Sequence, residues 1–231
     1  MPPSASVLIV CGLKREAAIL EGPGRTTLCG NASTLRLRLA EAASLRPSLV
    51  VVSWGLCGAL DPRFRPGDLI LGAEVVSGGG AVRADEAVTS SMAQRLGGAG
   101  ARVVVERLAA SDAPILTAAA KAELRRATGA VAVDMESLIA GQYALKQRIP
   151  FAILRAVADP AERNLPSLAL EAVAPDGGID TVAIIGALIR SPSQFAGLRA
   201  VATDSGAAFR ALKRCRSLLP GLFLGLGSAD V

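Results

Sequence analysis

Phe151-Ala-Ile-Leu-Arg-Ala-Val-Ala-Asp159, closed by Pro160, is the stretch that decides the fold. From Phe151 to Ala158 it is apolar except for Arg155, which reads as a strand buried on both faces in a mostly parallel sheet. Asp159 then stands at the carboxyl end of that strand, the edge outside which open α/β sheets bind ligands. Upstream, Ala130-Val-Ala-Val-Asp-Met-Glu-Ser-Leu138 brings two more acids, Asp134 and Glu136, near the entry of a helix expected over Val131–Lys146. The chain contains no histidine. Proton transfer near neutral pH must therefore use carboxylates, Lys, Tyr or Cys.

Outward from this stretch, apolar runs alternate with helical patterns. Val7–Cys11 reads as a first strand and Lys14-Arg15 as the loop behind it, with a short helix over Arg15–Leu20 stopped by Glu21-Gly-Pro-Gly24. A short strand is expected at Thr26–Leu28 and a helix at Ser33–Ala43, capped by Ser33. Leu49–Ser53 is β-rich and opens into Trp54-Gly-Leu-Cys-Gly-Ala-Leu60. Asp61-Pro62 and Arg65-Pro-Gly-Asp68 turn the chain into a strand at Leu69–Val76. Gly78–Gly80 and Gly97-Gly-Ala-Gly100 bracket a weakly patterned segment. A strand follows at Arg102–Leu108 and an amphipathic helix at Thr117–Thr128. The tail, Ile179–Leu219, reads as two helices separated by Ser191-Pro192. With no repeat or linker, residues 1–231 read as a single α/β domain that includes the C-terminal helices from about 179.

The composition is 51% hydrophobic but only 3% aromatic, so the core is built from Ala, Val, Leu and Ile. A chain of this length can bury such a core without disulfides. Mean hydropathy is high, at +0.44. Yet the apolar runs at 49–60 and 182–189 fall short of the roughly 20 residues a membrane span needs. The N-terminus lacks a signal-peptide pattern, which points to a cytoplasmic protein. Cys11, Cys29, Cys57 and Cys215 form no CxxC pair, and without histidine they offer no metal site; they read as free buried thiols. The net charge of +5 falls on Arg36, Arg38, Lys213, Arg214 and Arg216 at helical spacings. Without aromatic interleaving this reads as a solvated face rather than a nucleic-acid surface. The glycine-rich loops carry neither GxGxxG nor GxxxxGK[ST], and no GxSxG elbow is present.

Three segments together are similar to the nucleoside phosphorylase and nucleosidase superfamily, whose members cleave the bond between a base and ribose. They are Val7-Leu-Ile-Val-Cys-Gly-Leu-Lys-Arg-Glu16, then Val51-Val-Ser-Trp-Gly-Leu-Cys-Gly-Ala-Leu-Asp-Pro62 with Arg65-Pro-Gly-Asp68, and the two stretches around Asp134 and Asp159. Their order and spacing match across most of residues 7–190. The resemblance implies a three-layer α/β/α fold with a mixed, mostly parallel sheet, a small nucleoside substrate, no cofactor and a homodimer. It implies that Asp159 protonates a purine leaving group and that Glu16 orients and deprotonates an attacking water. Glu136 would hold the ribose diol and Met135 would lie under the sugar. Gly55, Leu56, Cys57 and Gly58 would form the platform near base and sugar, with Ala113-Pro-Ile115 beside the base. Asp134 keeps no catalytic part. The chemistry suits these residue types, because carboxylates stabilise an oxocarbenium-like state and a buried acid with a raised pKa can protonate the departing base. Without the resemblance, Asp159 reads as a cap before Pro160, and Asp134 and Glu136 as acids at a helix N-terminus.

The chain departs from the family pattern in ways that narrow the reaction. Ala158 stands where the family has Ser before the acid. Ser53 and Leu56 stand where the phosphate-using branch keeps phosphate ligands, leaving Arg25 or Arg155 as substitutes. This favours hydrolysis, with phosphate as co-substrate the alternative. Short segments at Leu20–Leu28 and Ser77–Ala101 leave an open, apolar entrance suited to a bulky 5′ group. Arg155-Ala-Val-Ala-Asp-Pro-Ala-Glu-Arg163 and the Arg-rich C-terminal helix most resemble the hopanoid-associated phosphorylase group. That likeness implies release of adenine from adenosylhopane. The apolar end Leu218–Leu226 beside Lys213, Arg214 and Arg216 then reads either as peripheral contact with the inner membrane face or as a helix packed on the core or a second subunit. Two other classes stay open, a non-catalytic nucleoside- or lipid-binding module and an interaction protein with a basic helix.

Overall fold

The computed structural model describes residues 7–43, 49–98, 102–166, 174, 176–178 and 195–216. Strand β1 (Val7–Cys11) is buried at every position and pairs in parallel with β2 (Arg25–Cys29) on one side and β3 (Val50–Ala59) on the other. The deciding stretch is strand β8 (Phe151–Asp159), parallel to β3 and antiparallel to β4 (Leu69–Ser77). Beyond β4 lie β5 (Gly80–Arg83), an antiparallel hairpin partner, and β6 (Val103–Ala110), a parallel one. Strand β7 (Ala132–Asp134) runs parallel to β6 and antiparallel to the end of β3. The eight strands thus form one mixed, mostly parallel sheet in which β3, β8, β4, β6 and β7 close a circuit.

Helices cover both faces. Ala17, Ile19 and Leu20 of α1 (Lys14–Leu20), Val88, Met92 and Leu96 of α3 (Glu86–Gly98), and Phe209 and Leu212 of α6 (Phe195–Arg216) fill one side of the sheet. Leu35 and Leu39 of α2 (Ala32–Ala42) and Ile139, Ala140 and Ala144 of α5 (Ser137–Gln147) fill the other. Helix α4 (Ala118–Thr128) closes a smaller cluster through Leu124. The result is the three-layer α/β/α fold that the resemblance implies.

Several local expectations need correction. The helix expected from Val131 begins only at Ser137, because Ala132–Asp134 extend to bridge β6 and β3. Trp54–Ala59 continue β3, because β8 offers a ladder partner to each residue from Val51 to Cys57; the register shifts between Cys57 and Gly58. Lys14 and Arg15 belong to α1 rather than to a loop. Asn31, not Ser33, caps α2 by accepting from Thr34 N at 3.0 Å. The weakly patterned segment holds β5 and α3, whose signal is the buried i, i+4, i+8 set Val88, Met92 and Leu96. Thr117 caps α4, and Gly129 ends it at φ +68°. The second expected tail helix is α6; the first, and Leu218–Leu226, lie outside the described residues. Among the described residues no helix is long and apolar enough to cross a membrane.

Candidate active site

A cavity of about 350 Å³ opens where the carboxyl ends of β1, β3 and β8 meet. Glu16, Leu56, Cys57, Gly58, Met135, Glu136 and Asp159 all line it, as do Ala113, Pro114 and Ile115. Gly55 does not; it lies behind the wall. Its φ is +150°, and a Cβ there would stand 2.6 Å from Glu16 Oε1 and 2.8 Å from Arg155 Nη1. Only glycine lets β3 pass so close to both groups.

Glu16 projects from the first turn of α1 and is 2% exposed. Its Oε2 accepts from Gly12 N at 2.9 Å and Leu13 N at 2.8 Å, and its Oε1 accepts from Leu56 N at 2.8 Å. These three donors lock the carboxyl plane across the β1–α1 turn and β3. Burial pushes its pKa above the ordinary carboxylate range, opposed by Arg155 and the three N–H groups.

Arg155 is the centre of a buried network and is 0% exposed. Nε meets Asp134 Oδ2 at 2.9 Å, and Nη1 meets Glu136 Oε2 at 3.1 Å. Nη2 donates to Ser53 Oγ at 2.6 Å and Ser137 Oγ at 3.2 Å, while Nη1 also donates to Leu56 O at 3.3 Å. Every guanidinium nitrogen is engaged, so Arg155 is no phosphate ligand; it holds the acids together. The sequence signal was its place as the one charge in an apolar strand, which demands buried counter-ions. Asp134 is fully occupied: Oδ1 accepts from Glu136 N at 3.1 Å and Ser137 N at 2.8 Å, and Oδ2 also accepts from Ser137 Oγ. It fixes the turn into α5 and anchors Arg155. Burial pushes Glu136 up to about 8 against the pull of Arg155.

Asp159 ends β8 facing Gly58 across the cavity wall. Burial raises its pKa, and Lys121 and Arg163 pull the other way. Its Oδ2 accepts from Lys121 Nζ, a residue that sequence reasoning missed because α4 is otherwise a surface helix. Lys121 is its only buried residue. The remaining positions bearing on phosphate, Arg25 and Ser53, lie off the cavity lining. Of these, Arg25 Nη1 donates to Leu20 O at 3.2 Å, away from the cavity, and Ser53, which stands where the phosphate-using branch keeps a ligand, is 0% exposed behind Arg155. Burial likewise raises the Cys57 thiol well above its usual range, so it lines the cavity as a neutral S–H rather than a nucleophile.

The sequence pattern described as the phosphorylase superfamily matches residues 5–190. A comparison with curated proteins returns no match. Among solved structures, a 5′-methylthioadenosine/S-adenosylhomocysteine nucleosidase from Helicobacter pylori is similar with a TM-score of 0.67 at 11% identity, over 94% of this chain and 99% of that one. The Neisseria meningitidis nucleosidase of the same name, in complex with methylthio-immucillin-A, gives 0.62 at 17% identity over 90% and 98%. Futalosine hydrolase of Helicobacter pylori gives 0.64 at 11% over 91% and 96%. At such identities the likeness establishes the fold.

Proposed function

This chain belongs to the phosphorylase superfamily, and from that premise we propose that it hydrolyses the N-glycosidic bond of a 5′-modified adenosine and releases adenine. The observation that carries this reading is Glu16, a carboxyl held on three backbone N–H groups at the cavity wall while Arg25, Ser53 and Arg155 are all turned away from it. A buried carboxyl with a raised pKa is a better base for water, and among the described residues the one cation lining the cavity, Lys121, is already paired with Asp159, which makes the cavity a poor host for phosphate.

The reaction assigns each side chain one task. Glu16 orients water and takes its proton as the anomeric carbon is attacked. Glu136, kept in place by Arg155, holds the ribose hydroxyls. Met135 packs beneath the sugar, and Leu56, Cys57 and Gly58 flank base and sugar. Asp159 gives its proton to the departing base, which leaves as neutral adenine. Related folds that carry nucleosidase and hydrolase names support water as the acceptor.

For the 5′ group we favour a triterpenoid tail, with adenosylhopane giving ribosylhopane. Leu13, Leu56, Ile115 and Leu165 give the cavity an apolar wall that suits it. The same reading takes residues 1–231 as one domain, active as a cytoplasmic homodimer. The basic last turn of α6, with Lys213, Arg214 and Arg216, would then lie at the inner membrane face.

The test is incubation with adenosylhopane and simpler adenosines, with and without phosphate, followed by mass analysis of the sugar product. Free ribosyl product in both buffers is expected. An absolute phosphate requirement overturns hydrolysis, and absence of adenine from every substrate overturns the enzyme reading in favour of a binding module.

A further inference from the structure

We propose that Lys121 is a positioning residue for the proposed acid, its ammonium fixing one oxygen of the Asp159 carboxyl so that the other, Oδ1, carries the proton into the cavity. The inference rests on the functional reading above but on a different set of contacts. Ala158, next to the acid, has a side chain that can offer the carboxyl no hydrogen bond. Lys121 comes instead from α4, far along the chain, and is 1% exposed. Its Nζ donates to Asp159 Oδ2, to Pro160 O at 2.9 Å and to Arg163 O at 3.1 Å. An ammonium has three N–H groups, and here each finds an acceptor at the end of β8 or in the segment that follows it. Among the described residues Oδ1 receives no hydrogen bond. It lies against Gly58, where a Cβ would stand 3.1 Å away.

The helix itself is tied to the same turn. Ala118 N donates to Asn164 Oδ1 at 2.8 Å, and Thr117 caps the first turn by accepting from Ala120 N at 3.1 Å. One lysine therefore fixes the orientation of the acid and the path of the chain beyond it. A buried ammonium without a carboxylate would be costly, so the pair also explains why α4 can tolerate a lysine as its only buried residue. The charged and titratable groups around Asp159 are Lys121 on α4, Arg163 in the following turn with its ion-pair partner Asp204 on α6, and Cys57 on β3. Of these only Lys121 touches the carboxyl.

The sign of the effect follows. A neighbouring cation favours the ionised carboxyl, so its removal moves the titration of Asp159 to higher pH. Adenine release needs protonated Asp159, so activity falls as pH rises through that titration. Without Lys121 this falling limb moves upward. Loss of orientation lowers kcat, on the order of 10²-fold for a displaced acid, with KM little changed.

Two variants separate charge from hydrogen bonding. Lys121→Gln keeps donors for the two carbonyls without the charge, and Lys121→Met removes both. With full-length protein and an adenosine that the wild type cleaves, both should lower kcat and move the falling limb of kcat/KM upward. In protein labelled with 13C at the aspartate carboxyls, with Asp159→Asn to identify the signal, the Asp159 midpoint should rise in both variants. An unchanged midpoint, or lost kcat with an unmoved limb, overturns the proposal. A third reading needs no variant of Lys121: the 15Nζ resonance of Lys121 in the wild type must shift across the Asp159 titration, and an insensitive signal overturns it even if both variants misfold. If the wild type cleaves no adenosine, the proposed function fails, and the two resonance measurements still decide the pair.

Discussion

Glu16 is a buried and Asp159 a partly buried carboxyl, both with raised pKa values, yet they differ in what holds them. Glu16 is fixed by three backbone donors and Asp159 by one side-chain ammonium. Amide substitution should therefore affect them differently. Asp159→Asn removes the proposed acid but keeps an oxygen that can accept from Lys121 Nζ, so the fold survives. Adenine release should fall by about 10²- to 10⁴-fold, as for loss of a general acid. Near-wild-type turnover would remove Asp159 from the mechanism. Glu16→Gln presents an amide NH2 to N–H groups that need an acceptor. It should cost about 1–3 kcal/mol of stability in addition to activity, read as a lower midpoint in urea. A Glu16→Gln protein as stable as Asp159→Asn would contradict that account.

At the scale of the element, β8 delivers two groups from one extended run. Arg155 lies in its interior and Asp159 at its end. Arg155 engages the turn before α5 through Asp134 and Glu136, and β3 through Ser53 and Leu56. The strand is therefore joined to β3 and to the segment entering α5 by one guanidinium fork. Arg155→Lys keeps the charge but not the fork, and it should leave at least one buried acceptor unpaired. Arg155→Met leaves buried carboxylates with no cation and should cost about 3–5 kcal/mol. We expect the stability order wild type, Lys, Met in chemical denaturation; a Met variant equal to the wild type would show the network to be unimportant. Element type was legible along most of the chain because apolar runs and turn residues carry it locally. The exception is instructive: Val131–Asp134 resembles the start of a helix until β6 and β3 lie on either side of it and draw it into the sheet.

At the scale of the molecule, several acids sit in one largely buried site, and their proton affinities link stability to pH. Glu136 moves from its ordinary value of 4.5 to about 8, and Glu16 and Asp159 move in the same direction. The folded state then binds protons more tightly than the unfolded chain, so stability is greatest below about 4.5 and declines as pH rises toward 8. Asp61 and Asp176 are lowered instead, so their contribution is lost only at more acidic pH. Thermal unfolding across pH 5–8.5 should show Tm falling with pH, and Glu136→Gln should flatten the slope. A slope identical in the variant would exclude Glu136 as a source. By itself the sequence determined the α/β class, most of the elements outside the segments that hold β5, α3 and β7, and the acids that line the cavity, because burial patterns and strand ends are written in local order. The tertiary structure alone decided that Arg155 binds the acids together rather than phosphate, and that Lys121 meets Asp159. Both are pairings between distant segments, and a buried charge reveals its partner only when the chain has closed around it.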